Sequence, residues 1–250
     1  MTAKTARASA PAPAAKPAKA AKPAKSARPK TDKERSRIPY AERKAQILEA
    51  AAKLFAERGL SAQTRTLADR CGISQRLLYR FFPNKNDLLA EVYKQNVAGP
   101  FKAVWFAELK DRDVPLERRL NDFYADYLDT VMTPRWLRIF MHSSLADFTM
   151  APDYISSVIK ELVRTITEEA AAEQGLALPA SEDVVHEIGW TLHGAISHYA
   201  IRRHLYRASQ TLPQDAVVAM QVRAFLGGFR AVVEGEGMAL PAPAAPASRP

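Results

Sequence analysis

With one cysteine in its 250 residues, Cys71, the chain can form no disulfide within itself and no cysteine-rich zinc site. That usage fits a reducing compartment. No uninterrupted apolar run reaches the roughly 18 residues of a membrane-crossing helix, so a soluble chain with no membrane contact is expected. The N-terminus lacks the apolar core of a secretory leader, and its regular prolines prevent the amphipathic helix of a transit peptide. A nucleophile elbow, a Gly-rich phosphate loop and a dinucleotide fingerprint are all missing, and the isolated pair Gly227-Gly228 supplies none of them. Nothing therefore points to an enzyme, and no cofactor is expected. Finally, no stretch alternates with period two for long enough to make a strand, which leaves an all-α class.

What is present is an apolar share of 47%, enough for a sizeable core, and an uneven charge. Residues 1–37 hold eleven Lys or Arg against Asp32 and Glu34, and no Leu, Ile, Val or aromatic residue. Such an Ala/Pro/Lys segment cannot offset the entropy of ordering and is expected to be a disordered cationic arm. It reads as a solubilising tail or as a non-specific DNA tether, since repeated Lys near phosphates releases counterions whatever the sequence. Residues 38–96 add ten basic and six acidic side chains, and the remainder is mildly acidic. The asymmetry points to a polyanion partner at one end. Residues 238–250, MALPAPAAPASRP, form a Pro-Ala tail expected to be disordered.

The most informative stretch is Ile73 to Lys85, ISQRLLYRFFPNK. Ser74 is a helix N-cap, Ile73 can pack on Leu78, and Gly72 can take the positive φ of a sharp turn. Leu78 and Phe82 share one face, while Gln75, Arg76, Tyr79 and Arg80 share another. Pro83 ends the helix, and Asn84 with Asp87 caps the next. Upstream, Ile47, Leu48, Ala51, Leu54 and Phe55 make one apolar stripe that ends at Gly59. A shorter helix, Thr64 to Cys71, has Thr64 as its cap and Leu67, Ala68 and Cys71 inward. Two helices joined by a glycine turn, with a third completing a small core, make a helix-turn-helix unit.

The runs RKAQILEAAAKLFAERGL and TRTLADRCGISQRLLYRFFPNKNDLLAEVY resemble the DNA-binding domain of the tetracycline-repressor (TetR) family of bacterial regulators, over Arg43 to about Asn96. The resemblance implies a helix-turn-helix domain over 38–98 and a helical effector-binding and dimerisation domain over 99–237. It implies a cytoplasmic, nucleoid-associated homodimer that binds a near-palindromic operator in double-stranded DNA, acts as a repressor and responds to a small-molecule effector. Gln75 can pair with adenine, Arg76 or Arg80 with guanine, and Leu77 can touch a thymine methyl. Tyr79, Lys85 and Thr64 correspond to phosphate contacts that set register. Arg65 joins the DNA-facing set, and Thr64 or Thr66 takes the phosphate-contacting cap. Two departures stand out: the segment between Gly59 and Leu67 is a residue shorter than the common pattern, and Arg76-Leu77 replace a small residue followed by Thr.

Beyond Asn96 loop signals separate further helices. Gly99-Pro100 leads to FKAVWFAEL, Pro115 to LERRLNDFYADYLDTVM, and Thr133-Pro134 to RWLRIFMHSSLADF. Pro152 opens a helix that Gly175 ends, Ser181 caps one to Arg207, and Pro213 opens the last, to near Gly235. The last two carry small and apolar residues on more than one side, among them Gly189, Gly194, Ile196, Val218, Phe225 and Gly228. A helix apolar on two faces must be covered on two faces, and the family resemblance makes a second copy the cover. Trp105, Phe106, Trp136, Met141, Phe148 and Trp190 read as core. Of these, Trp105, Trp136, Met141 and Trp190, with His193, are candidates to line an effector pocket. His186, His193, His198 and His204 are not spaced three or four apart as neighbouring helical ligands are, so no metal site is expected. Two rival readings remain open: a nucleoid-associated DNA binder driven by the arm, and an enzyme or metal sensor built on the histidine helix.

Overall fold

The computed structural model describes residues 38–146 and 153–235, which form ten α-helices and no strand, the expected all-α class. The arm over 1–37, the tail over 238–250, Pro152 and Phe148 lie outside the described residues.

Helix α1, Tyr40–Arg58, buries the whole stripe of Ile47, Leu48, Ala51, Leu54 and Phe55. It stops at Gly59, whose φ of 78° an L side chain rarely adopts and whose N–H donates to the Phe55 carbonyl. A Cβ there would also meet the His142 ring at 3.3 Å, so the same glycine lets a later helix approach. Helix α2 is Thr64–Arg70 and α3 is Gln75–Phe81, joined through Gly72 at φ 63°. The Ser74 hydroxyl caps α3 by accepting from the Leu77 amide at 3.1 Å, and Phe82 turns extended before Pro83. Helix α4, Lys85–Tyr93, is capped reciprocally: Asn84 accepts from the Asp87 amide at 2.8 Å and donates to its carboxylate at 2.9 Å.

One expectation fails here. Thr64 does not cap α2. It is the first helical residue, the N-cap is Gln63 without a side-chain bond, and the Thr64 hydroxyl is held by α3 instead.

Helix α4 runs on through a π turn, Lys94–Ala98, closed by the Gly99 amide on the Lys94 carbonyl at 2.8 Å. Helices α5, Val104–Leu109, α6, Leu116–Thr130, and α7, Pro134–Ser144, follow, the last capped by the Thr133 hydroxyl. A second π turn, Ile155–Ile159, leads into α8, Lys160–Gln174, which Gly175 ends in left-handed geometry. Helix α9 is Glu182–His204 behind the Ser181 cap, and α10 is Gln214–Glu234. The chain leaves α9 three residues before the expected Arg207, which itself takes a positive φ of 54°.

One continuous apolar core runs from Ile47 in α1 to Phe229 in α10. Helix α1 packs on α7, α8 on α9, and α6 on α10. The α8–α9 approach depends on Gly189, where a Cβ would lie 2.3 Å from the Val163 carbonyl oxygen. At the other end of α8, Glu169 receives Arg112 and Arg119, each at 2.9 Å, and Arg119 also donates to the Leu109 carbonyl. Helix α10 qualifies the expectation from apolar runs: it is long and apolar enough to cross a membrane, and only 22% of its most apolar stretch is buried within this chain. Met220 and Val232 stand about half exposed on it.

Candidate nucleic-acid interface and the body cavities

The three helices of the head bring four of the expected residues into one neighbourhood. The Thr64 hydroxyl at the start of α2 meets the Tyr79 hydroxyl at 3.1 Å and accepts from the Gln75 side-chain amide at 3.1 Å. Lys85, the first residue of α4, lies beside Tyr79; burial draws its ammonium below the ordinary lysine value, and the Tyr79 phenol opposes that shift. The first turn of α2, the exposed face of α3 and the start of α4 therefore form one polar surface.

Three cations of the head are paired with carboxylates, Lys44 with Glu91, Lys53 with Glu49 and Arg70 with Glu57. Arg65, Arg76 and Arg80 are exposed, and like Lys85 they pair with no carboxylate among the described residues. Uncompensated guanidinium groups match phosphate and guanine acceptors. Leu77 is half-buried beside them, and Thr66 is half-buried on α2 without entering the Thr64 network. Gln75 keeps its carbonyl oxygen and a second amide hydrogen, the two atoms that adenine recognition needs, while Thr64 fixes the side chain's direction.

The candidate effector residues are placed elsewhere. Trp105 is buried with its N–H donated to Asp126 at 2.9 Å, and Trp136 is buried with its N–H donated to the Val97 carbonyl at 3.0 Å. Met141 is half-buried, and Trp190 is half-buried with its N–H on His186 at 3.1 Å. His193 is buried among Tyr124, Tyr127 and Trp190, and burial pushes its imidazole down to about 4. None of the five lines a described cavity. Of the aromatic and Met positions read as core from the sequence, Phe106 lines one of the cavities. Two, of about 290 and 390 Å³, share Ala98, Ser157 and Val158 and lie between the two π turns. A third, of about 260 Å³, opens between α9 and α10 at Ile188, Phe225 and Val232. Cys71 is half-buried, and burial raises its thiol. Among the described residues no three His, Cys, Asp or Glu side chains are grouped to hold a metal ion.

Comparison with known proteins agrees with this geometry. Residues 47–92 match the family described as bacterial regulatory proteins, tetR family. Over 63 residues the chain is 38% identical to the transcriptional activator FasR of Mycolicibacterium smegmatis, covering 25% of this chain and 29% of that one. Over 87 residues it is 36% identical to the transcriptional repressor KstR2 of Mycobacterium tuberculosis, covering 34% and 42%. The matches thus span less than half the length of these curated relatives. A TetR-like regulator from Rhodococcus sp. RHA1 superposes over 78% of this chain and 99% of its own, with a TM-score of 0.58 at 19% identity, which extends the likeness of fold through the helical body.

Proposed function

We propose, from the premise that this chain belongs to the TetR family by its head and shares that fold in its body, that it is a sequence-specific transcriptional repressor released from DNA by a small molecule. The carrying observation is the Thr64–Gln75–Tyr79 network beside the unpaired Arg76 and Arg80. It holds one side chain that can read a base and two hydroxyls that can hold phosphate in a fixed relation before DNA arrives, so little ordering entropy remains to be lost on binding. Repression is preferred because the longer of the two curated matches is to a repressor.

A homodimer through α9 and α10 completes the reading. The apolar exposed side of α10 and the cavity beside Phe225 support it, because a face of that kind is covered in a stable protein. Two-fold symmetry would set two copies of α3 on successive major grooves, roughly 34 to 36 Å apart. The body is joined to the head by the bidentate pair of Arg135 with Glu49 and by Trp136 on the π turn that continues α4. A ligand that alters the body would thus move both heads. Losing three base contacts at roughly 1 to 3 kcal/mol each is enough to release an operator.

The test is retardation of the DNA upstream of the chain's own reading frame at moderate salt. A site-specific complex is expected, and removing residues 1–37 should lower affinity without changing the preferred site. Equal binding to any duplex of the same length would sink the regulator reading in favour of an arm-driven architectural binder.

A further inference from the structure

Five cations near the start of the sequence recur at a fixed interval: Lys16, Lys19, Lys22, Lys25 and Arg28. The residues between them are Pro-Ala, Ala-Ala, Pro-Ala and Ser-Ala in turn, and no acid precedes Asp32. Attraction to phosphate asks for neither regularity, because it depends on how many cations are present and tolerates side chains of any size between them. A repeat of three has a geometric meaning. An extended Pro-rich helix turns once in three residues and rises about 3.1 Å per residue, so on it each cation would follow the last along one edge at about 9 Å. The other edges would carry nothing larger than a proline ring. Lys16 to Arg28 would then cover about 37 Å, close to the roughly 34 to 36 Å of one DNA turn.

The head fixes where this segment is delivered. Helix α1 begins at Tyr40, and the Tyr40 ring stacks on Phe81, the last residue of α3, with centroids 4.6 Å apart and planes 21° from parallel. The Pro39 carbonyl accepts from the Arg43 amide at 2.9 Å, which ties the residue before Tyr40 into the first turn of α1. Tyr40 is 63% exposed, so the stack holds it on the outer end of α3, one residue from the exposed Arg80. Wherever α3 sits on a duplex, the backbone at Ile38 lies two residues from that end. With α3 in a major groove, the path open to the chain on leaving it is the neighbouring minor groove.

We propose that residues 16–28 lie in the minor groove of A·T-rich duplex DNA flanking the site held by α3, as a second element that selects the shape of the groove. A·T tracts narrow that groove and deepen its negative potential, which favours inserted Lys and Arg. At about 6 Å wide it admits an extended chain whose intervening side chains are small, and G·C pairs place an amino group on its floor. The position beside an operator rests on the regulator reading; the groove preference does not.

The experiment is fluorescence anisotropy on the full chain with three labelled duplexes of equal length: alternating A·T, alternating G·C and alternating inosine·cytosine. Inosine·cytosine lacks the minor-groove amino group of G·C while keeping a G·C-like major groove, so it separates the two grooves. A·T and inosine·cytosine are expected to bind about three- to tenfold tighter than G·C at the same salt. Changing Lys16, Lys19, Lys22, Lys25 and Arg28 together to Gln should level the three affinities and lower the slope of log affinity against log salt by about four. Two charge-preserving shifts, Ala18→Lys with Lys19→Ala and Ala24→Lys with Lys25→Ala, should keep the slope and lose most of the preference. Equal affinity for the three duplexes, an A·T preference that inosine·cytosine does not share, a preference that survives the five Gln changes, or one untouched by the shifts would each overturn the proposal. Retardation of the upstream DNA by the same sample keeps the two ideas apart. A specific complex with no preference among the repeats sinks the groove proposal alone, and a preference among the repeats with no specific complex sinks the regulator alone.

Discussion

The head and the body of this protein keep their polar groups in opposite places. In the head, Gln75, Arg76 and Arg80 stand exposed on α3, and the small core beneath them is wholly apolar, built on Ile47, Leu54, Phe55, Leu67 and Leu78. In the body, Arg119, Glu169, His193 and the tyrosines 93, 127 and 154 are buried. A surface that meets a polyanion can leave its donors in water until the partner comes. A body whose helices are covered on several sides holds polar groups inside, where each needs a partner or carries a cost. Mutations should therefore act on stability in the body and on binding in the head.

The largest effect on the fold is expected at Glu169. Glu169→Ala leaves Arg119, with a side chain 3% exposed, facing the Leu109 carbonyl and Glu173 at 3.7 Å. Breaking a buried pair from one side costs about 3 to 5 kcal/mol, seen as a lower urea midpoint. A double replacement of Arg119 and Glu169 by Met should recover most of that loss, because no lone charge remains. Acid comes next. The His193 imidazole sits at about 4 in the fold, by burial, against an unfolded value near 6.5. The unfolded chain takes up the proton first, so stability is full above pH 6.5 and falls as pH drops toward 4, by about 3 kcal/mol. His204 shifts in the same direction through burial and Arg203, and it stays in place in a His193→Leu control that should flatten most of the slope. Third is Gly189→Ala. A helix gains about 1 kcal/mol from that change, but the new methyl would overlap the Val163 carbonyl, and α8 must move away. A net loss of about 1 to 3 kcal/mol is expected in thermal melts.

The same contrast explains what could be read from the chain. Caps obey local chemistry, so Ser74, Thr133 and Ser181 could be placed from the residues around them, and so could the glycine turns at 72 and 175. The helix-turn-helix was visible for the same reason: its spacing is contained in one run of sequence. Thr64 was misassigned because a cap and a first-turn hydroxyl look alike until Tyr79 and Gln75 are brought beside it. In the body, Trp105 and Trp136 attracted attention by size, yet their N–H groups are spent on Asp126 and Val97. The cavity of about 290 Å³ is assembled from α4 and a distant π turn, and a π turn has no pattern separable from an α-helix in the sequence.

The smallest effects on the fold belong to the head, where they sharpen the contrast most. Thr64→Val removes the hydroxyl shared by Gln75 and Tyr79, at a cost of at most about 1 kcal/mol because all three groups can turn to water. Its effect on DNA should nonetheless be plain: a uniform loss of affinity across sites, with the order of preferred sequences kept, since it frees the contacts that set register. Arg76→Ala should leave the melting temperature within the scatter of a surface substitution, about 0.5 kcal/mol. The side chain is exposed and unpaired on α3, so it has no structural duty among the described residues. If Arg76 reads guanine, selectivity at one operator position should relax by about 1 to 3 kcal/mol while the salt dependence holds. A uniform loss with the salt slope reduced by about one would assign it to phosphate instead, and base reading on this face would then fall to Gln75 and Arg80.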